Sequence, residues 1–255
     1  DEFDLFYTNG PSSGVGNGIG GKITAAQLAG YETLLYTSGN LGRFTIANGD
    51  APASDPGDDL GVLNTWLESG DKNAFFTGDN LVTDLNSAGV QGSNFLANWI
   101  GVQWETGSII SFIGNQASPL VASLDDNSVF ATEEWVANGG CLVINDFDGV
   151  IPTGITESCA EFLGPDGQGG LYPYTAATYR YDEASNNQIV YMPYDFMYIA
   201  TQDGASNPGP VPTRALVLQD VLLRFGTVPG QAIGVPEAGV FTAKNYPNPF
   251  NPKTT

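Results

Sequence analysis

The most constraining feature of this sequence is residues 58–81, DDLGVLNTWLESGDKNAFFTGDNL. Apolar side chains recur there at helical spacing and predict a short amphipathic helix with one buried stripe: Leu60, Leu63, Trp66 and Leu67. The next segment, 73–77, is typical of a buried strand, and Gly78-Asp79-Asn80 ends it in a turn. A helix that leads into such a strand indicates an α/β crossover. Because sites in open α/β sheets form at the carboxyl ends of strands, we expect Asp79 and Asn80 near any site.

Two other predicted strands also run into small polar or acidic residues. The strand over residues 33–37 is followed by Asn40, and the strand over 141–145 is followed by Asp146 and Asp148. The carboxyl ends of parallel strands meet along one edge of a sheet. The candidate ligand-binding residues are therefore Asn40, Asp79, Asn80, Asp146 and Asp148.

The rest of the first 227 residues supplies further elements of both kinds. We predict a strand over 3–8, helices over 93–101, 132–137 and 214–225, and a β-hairpin around the turn DEASNN. Together these patterns predict one α/β domain over residues 1–227, with a mostly parallel sheet and β-hairpin additions.

Charge and hydropathy exclude several classes of partner. The formal net charge is −20, from 28 acidic and 8 basic residues. Nucleic acids and anionic membranes are bound by Lys/Arg patches, so we expect no nucleic-acid partner. No apolar run reaches the ~18–20 residues of a membrane span, so we expect none. The acidic residues are scattered rather than placed at a metal-loop spacing, which favours a role in solubility over a metal site.

The chain contains no histidine and two cysteines. The missing histidine excludes Ser-His, Cys-His and His-metal sites within this chain. Cys141 and Cys159 could form a disulfide in an exported protein, contributing roughly 3 kcal/mol, or could be two buried free thiols. A catalytic thiol is not expected, because no histidine is present to activate it.

The composition changes after residue 227. Residues 228–240 have the composition of a Gly/Pro/Ala linker, and residues 241–255 contain the proline-rich string YPNPFNP, which favours an extended tail. This motif comprises Tyr246, Pro247, Asn248, Pro249, Phe250, Asn251 and Pro252. It resembles the start of the C-terminal sorting domains of bacterial type IX secretion cargo, which are immunoglobulin-like sandwiches of the flagellar hook-capping (FlgD) type. The resemblance implies a secreted protein with an extracellular or cell-surface location.

The body of the chain resembles the class I glutamine-amidotransferase-like domains of large secreted bacterial proteins. The matching strings are PSSGVGNG (11–18), QLAGYETLLYTSGN (27–40), WLESG (66–70) and FFTGDN (75–80). The resemblance implies a flavodoxin-like three-layer sandwich. In active members, the elbow after the corresponding strand carries a nucleophilic cysteine that works with a distant histidine and a glutamate. Here the elbow is Gly78-Asp79-Asn80, so the resemblance argues against glutamine hydrolysis, and we expect no enzyme activity.

These observations favour a non-catalytic extracellular module that serves adhesion, scaffolding or an assembly such as a filament. Its partners would be other domains of the same precursor or further subunits, including copies of itself. The resemblance places one strand upstream of this sequence, and its loss would leave a sheet edge for a neighbouring subunit to complete. No cofactor is expected.

Two alternatives remain open at this stage. One is a secreted hydrolase in which Asp79 works with Asp146 or Asp148, against the simpler interpretation that Asp79 caps the following segment. The other is a calcium or sugar site built from Asp58, Asp59, Asp79, Asn80 and Asp146.

Overall fold

The structure is a computed structural model, and it describes twelve parts of the chain. These are residues 3–6, 18–41, 45–47, 59–109, 113, 119–124, 129–132, 134–137, 146–164, 166–170, 172–200 and 213–226. The helices in these parts are α1 (Ile19–Lys22), α2 (Ala25–Leu28), α3 (Asp59–Glu68), α4 (Leu81–Ser87), α5 (Gly89–Phe95) and α6 (Thr213–Phe225). A π-helical turn, Leu96–Ile100, continues α5, and a 3-10 turn spans Phe196–Tyr198.

The described strands form two sheets. They are β1 (Thr33–Thr37), β2 (Asn73–Thr77), β3 (Val102–Thr106), β4 (Leu120–Ser123), β5 (Glu134–Val136), β6 (Gly149–Pro152), β7 (Glu157–Phe162), β8 (Thr175–Asp182) and β9 (Asn187–Met192). The main sheet has the order β1-β2-β9-β8-β7-β4-β5, and β3 pairs with β6 in a small second sheet.

The main sheet has two halves with different pairing. Strands β1, β2 and β9, the parallel half, pair in parallel. Strands β8, β7, β4 and β5, the antiparallel half, pair antiparallel with one another, and β8 pairs antiparallel with β9. The predicted α/β sandwich with hairpin additions is therefore confirmed. The additions are larger than the sequence indicated, because antiparallel pairs make up four of the six pairings in this sheet.

Each face of the sheet packs against helices, which gives three layers. Along β2, Ala74 and Phe76 enter the core beneath α3, α4 and α5, here called the α3-side core. Phe75 points to the opposite face, into the core that receives Val217 and Val221 of α6, here called the α6-side core. This alternation is the period of two expected for a strand buried on both faces.

The helix α3 confirms the stripe that the sequence predicted. Leu60, Leu63, Trp66 and Leu67 are all no more than 1% exposed. Gly70, with φ of 73°, lies just beyond the helix end, where a left-handed residue commonly terminates a helix. The shorter α2 begins with a capping box between Thr24 and Gln27. Local sequence signals therefore fix the elements that lead into β1 and β2.

Two local predictions were wrong. Residues 132–137 were predicted to be helical, but β5 lies there, because its backbone pairs with β4 and Trp135 fills the core. Residues 3–6 form no strand, and Phe3 is 83% exposed; the rest of the predicted strand lies outside the described residues. The helix predicted over 214–225 is confirmed as α6, in which the buried line includes Val217, Val221 and Phe225 and Leu216 is 38% exposed.

Several predicted features lie outside the described residues. These are the strand over 141–145, the linker 228–240, the tail 241–255 with its YPNPFNP motif, and Cys141. The Cys159 side chain is fully buried in β7, and burial raises the pKa of its thiol far above the ordinary value. The pairing of Cys141 with Cys159 stays a prediction. Within the described parts, no helix combines the length and apolar character needed to cross a bilayer.

Candidate functional site: the carboxyl edge of the parallel strands

Backbone hydrogen bonds join the segments that leave β1 and β2. The Ser38 amide donates to the Thr77 carbonyl at 3.0 Å, and the Asp79 amide donates to the Gly39 carbonyl at 2.8 Å. The Asp148 amide then donates to the Asp79 carbonyl at 2.9 Å, which adds the segment before β6. Asp79 is therefore the meeting point of three chain segments.

Gly78 makes this close approach possible. A Cβ atom at this position would lie 1.9 Å from the Ser38 hydroxyl oxygen, far inside van der Waals contact. The φ of Gly78 is 150°, a conformation that residues with a side chain rarely adopt. The elbow residue before Asp79 must therefore be glycine for both steric and conformational reasons.

The Asp79 side chain is only 1% exposed, and the segment that follows β9 holds it in place. Its Oδ1 accepts a hydrogen bond from the Asp195 amide at 2.8 Å. Burial raises the pKa of Asp79 to about 7, the Asp195 amide opposes this rise, and the charges of Asp195, Asp148 and Asp146 add to it. Asp79 consequently titrates near neutral pH instead of remaining ionised.

Asp148 is fully buried and caps α4 from another part of the chain. One carboxylate oxygen accepts from the Val82 amide at 2.9 Å and the Thr83 amide at 3.0 Å, and the other accepts from the Thr83 hydroxyl. Burial raises the pKa of Asp148 to about 7, although these hydrogen bonds lower it and the Asp146 charge raises it. Asn80, the N-cap residue by position, makes no side-chain capping bond. The suggestion that Asp79 caps the following helix was therefore wrong, because Asp148 does so.

The remaining candidates lie around the same edge. Asn80 follows Asp79 directly, and Asn40 follows Gly39, whose carbonyl accepts the Asp79 amide. Asp146 is exposed, and its charge acts on both Asp79 and Asp148. The structure thus brings together the predicted residues that follow β1 and β2 and those of the segment 146–148, which leads into β6. Whether they bind a ligand stays a prediction.

Sequence reasoning missed Asp195 and Asp84. Asp195 follows β9 and accepts from the Thr37 hydroxyl at 3.2 Å and the Met197 amide at 3.0 Å, so it links β1 to β9. Burial raises its pKa, and its hydrogen bonds and Arg214 oppose the rise. The rule that sites lie after parallel strands would have found Asp195 if β9 had been recognised as parallel to β2.

Asp84 lies in α4 and holds the short segment 45–47. One of its carboxylate oxygens accepts from the Thr45 amide and hydroxyl at 3.1 Å, the Ile46 amide at 3.1 Å and the Ala47 amide at 3.2 Å. No sequence signal marks this contact, because the partners are far apart along the chain.

The calcium or sugar alternative gains no support from these contacts. Asp58 lies outside the described residues, and Asp59 accepts a hydrogen bond from the Tyr36 hydroxyl at 3.0 Å. Across the described parts of the chain, no group of three or more Asp, Glu, Cys or His side chains is arranged to hold a metal ion. The contacts of Asp79, Asp148, Asp195 and Asp84 instead join backbone segments.

Comparison with known proteins gives structural similarities alone. No protein-family model matches the chain, and no curated protein matches it. A putative GMP synthase subunit from Thermoplasma acidophilum is similar at 12% identity and a TM-score of 0.44, over 81% of this chain and 78% of that one. A cold-adapted β-galactosidase from Rahnella sp. R3 is similar at 11% identity and a TM-score of 0.47, over 79% of this chain and 24% of the enzyme. These values support no conclusion about activity. The fold of the chain is therefore assigned from its own topology, which is that of a mixed α/β sandwich.

Proposed function

We propose that this chain is a non-catalytic α/β module of a secreted bacterial protein, and that it serves as a scaffold within an extracellular assembly. The observation that carries this proposal is the use of the strand-edge carboxylates. Asp79 and Asp148 accept backbone amide hydrogen bonds from other segments, Asp195 accepts one from the Thr37 hydroxyl of β1, and none of the three is more than 6% exposed. These side chains hold the loops of the edge together.

A hydrolase would need the same groups to reach a substrate. A general acid or base must approach the proton that it transfers within hydrogen-bond distance, directly or through one water. Asp79 and Asp148 are 1% and 0% exposed, and the chain has no histidine to replace them. The geometry therefore favours a structural role for both carboxylates.

The outer position of β1 supports a role in assembly. Within the described sheet β1 pairs with β2 alone, and Leu35 at its centre is 48% exposed. An edge strand presents backbone groups to which another strand can add. A neighbouring subunit or domain that completes this edge is the partner that we propose.

The extracellular location is supported by the sequence. The motif of residues 246–252 resembles the start of type IX sorting domains, and the net charge of −20 suits a protein that stays dissolved in an ionic exterior. Fractionation of the source organism tests this part. We expect the protein in the outer membrane or extracellular fraction, and recovery from the cytoplasm alone would contradict the proposal.

The assembly is tested on the protein purified from its source. Light scattering coupled to size-exclusion chromatography would measure its mass, and electron microscopy would show its form. We expect a regular polymer or a discrete complex larger than one precursor. A monomer at every concentration would contradict the proposed scaffold.

One observation keeps carboxylate hydrolysis as a second candidate function. Burial places the pKa of both Asp79 and Asp148 at about 7, a range in which a carboxyl group can exchange protons at neutral pH. The purified chain and its Asp79→Asn variant should be compared on amide, ester and glycoside substrates. We expect no turnover by either protein. Turnover that Asp79→Asn abolishes in a protein of unchanged fold would establish the hydrolase.

A further inference from the structure

Three buried oxygen atoms near the strand ends have no hydrogen-bond partner among the described residues. They are the Ser38 hydroxyl, Oδ2 of Asp79 and the Tyr191 hydroxyl. Their residues are 7%, 1% and 0% exposed, respectively. Most buried polar atoms in proteins are hydrogen-bonded, so three such atoms in one region require a physical explanation.

The three groups lie around the elbow. The Ser38 hydroxyl occupies the space that a side chain at Gly78 would need. Tyr191 pairs with Phe76 across β2 and β9, and both side chains enter the α3-side core. Tyr191 is the last residue but one of β9, and its register partner Phe76 lies three residues before Asp79, so Tyr191 lies at the strand end that carries the elbow. The charges of Asp148 and Asp79 also raise the pKa of its phenol. The ends of β1, β2 and β9 thus each contribute one unpaired polar group.

The chemistry of these groups is complementary. The Ser38 and Tyr191 hydroxyls can each donate one hydrogen bond, and Oδ2 of Asp79 can accept. Each group would destabilise the folded protein if it stayed buried and unpaired, because it would lose the hydrogen bonds that it makes to water in the unfolded chain. A single water molecule can satisfy two to four such groups, and buried waters in proteins usually do so.

We propose that Ser38, Asp79 and Tyr191 form an internal water-binding site that links the ends of β1, β2 and β9. The Tyr191 hydroxyl donates to the bound water, and the water donates to Oδ2 of Asp79 when this carboxylate is ionised. The Ser38 hydroxyl completes the site from β1. This inference is independent of the proposed function, because a buried water would serve a scaffold and a hydrolase equally.

The site explains why a tyrosine lies in the middle of an apolar core. Tyr191 is fully buried beside Phe76, and burial together with the charges of Asp148 and Asp79 raises its pKa well above the ordinary value. The phenol therefore stays protonated and remains a donor. The bound water accepts the hydrogen bond of this donor and connects it to the carboxylate of Asp79.

A crystal structure of the chain at high resolution tests the site directly. We expect ordered solvent density within hydrogen-bond distance of both the Tyr191 hydroxyl and Oδ2 of Asp79. The density should be absent or displaced in the Tyr191→Phe/Ser38→Ala double variant. A direct Tyr191–Asp79 hydrogen bond, or no ordered solvent between the two groups, would overturn the proposal.

A double-mutant cycle supplies an independent readout in solution. Tyr191→Phe and Ser38→Ala each remove one hydroxyl with little change of shape. If both hydroxyls bind one water, Tyr191→Phe should raise the urea-unfolding equilibrium constant about 5- to 10-fold, and the two changes should be non-additive. An unchanged or smaller unfolding constant in Tyr191→Phe, or strict additivity, would contradict a shared water.

Tyr194→Phe is the matched control for the cycle. Tyr194 is also a fully buried tyrosine, but its hydroxyl accepts a hydrogen bond from Trp135 Nε1 at 2.9 Å. Its loss should destabilise the protein without any coupling to Ser38→Ala. Coupling of the same size in this control would show that the cycle reports general core relaxation, and would remove its support for the water site.

Discussion

The parallel and antiparallel halves of the main sheet differ in the polar contacts at their strand ends. Aromatic rings pack in both halves: between ring centroids, Phe130 lies 5.0 Å from Trp135 of β5, and Phe76 of β2 lies 5.8 Å from Phe95. In the parallel half, buried carboxylates at the strand ends bind backbone amides, as Asp79 and Asp148 do.

The direction of the strands accounts for this difference. Parallel strands deliver all their carboxyl ends to one edge, where the following segments crowd together and their amides need acceptors. Antiparallel strands return through turns such as the hairpin between β8 and β9, which satisfy their backbone groups locally. A cluster of polar contacts therefore forms beside the parallel strands, whether or not that edge also binds a ligand.

The largest expected effect comes from deleting core aromatics in either half. Phe162→Ala in the antiparallel half and Phe76→Ala in the parallel half should each lower the free energy of unfolding by about 3–5 kcal/mol. Phe162 shares the α6-side core with Phe75 and Val190 of the parallel half, so urea unfolding should remain a single transition. Two separate transitions in Phe162→Ala would show instead that the halves fold independently.

The second effect is a pH dependence that originates in the parallel half. Burial raises the pKa of Asp79 from 3.8 to about 7, so the folded protein keeps a proton that the unfolded chain releases. The stability contributed by this group is complete below about pH 4 and is lost as pH rises through about 7, a change on the order of 4 kcal/mol. Asp79→Asn cannot ionise, so we expect a flatter dependence of the unfolding free energy on pH.

Asp182, at the end of β8, provides a control whose effect on the pH dependence of stability has the opposite sign. The Ser185 hydroxyl holds the pKa of Asp182 below its ordinary value, so its contribution is present above that ordinary pKa and is lost as pH falls. Asp182→Asn should therefore remove a slope of the opposite sign. Equal slopes in wild type and Asp79→Asn would show that Asp79 does not carry the pH dependence.

A smaller loss is expected from Asp84→Ala. This change removes the acceptor shared by the Thr45, Ile46 and Ala47 amides and should cost about 2–3 kcal/mol, measured by urea unfolding. Asn86→Ala, at an exposed position of the same helix, is the control and should change stability by less than about 0.5 kcal/mol. A similar cost in both variants would show that the loss does not come from the amide contacts of Asp84, because alanine is a better helix former than either aspartate or asparagine.

The smallest effect on stability is expected at the outer strand. Leu35→Asp should change the unfolding free energy by no more than about 0.5 kcal/mol, because Leu35 is 48% exposed. It should nevertheless weaken self-association, measured by sedimentation, because a charge on an edge strand opposes strand addition. Val90→Asp, at a site 78% exposed on α5, is the control and should leave association unchanged. Equal association of both variants would contradict a role for β1 in assembly.

The success of the sequence predictions depended on how local their physical cause was. The helix α3, the strand β2 and the β8–β9 hairpin followed from periodicity and turn residues within short windows. The strand β5 could not be predicted in this way, because its three residues are extended through pairing with β4. Asp79 was located correctly at the edge, but its partner Asp195 was not, since only the register of β9 beside β2 brings the two together.

The sequence by itself determined α3, β2 and the β8–β9 hairpin, and it placed Asp79 after β2, because these features depend on neighbours within a few turns of the chain. Only the tertiary structure decided that Asp148 caps α4, that Asp84 binds segment 45–47, and that burial raises the pKa of Asp79 to about 7. Burial and hydrogen-bond partners across long sequence separations depend on how the strands are ordered and registered in the sheet, and no short window of sequence encodes that order.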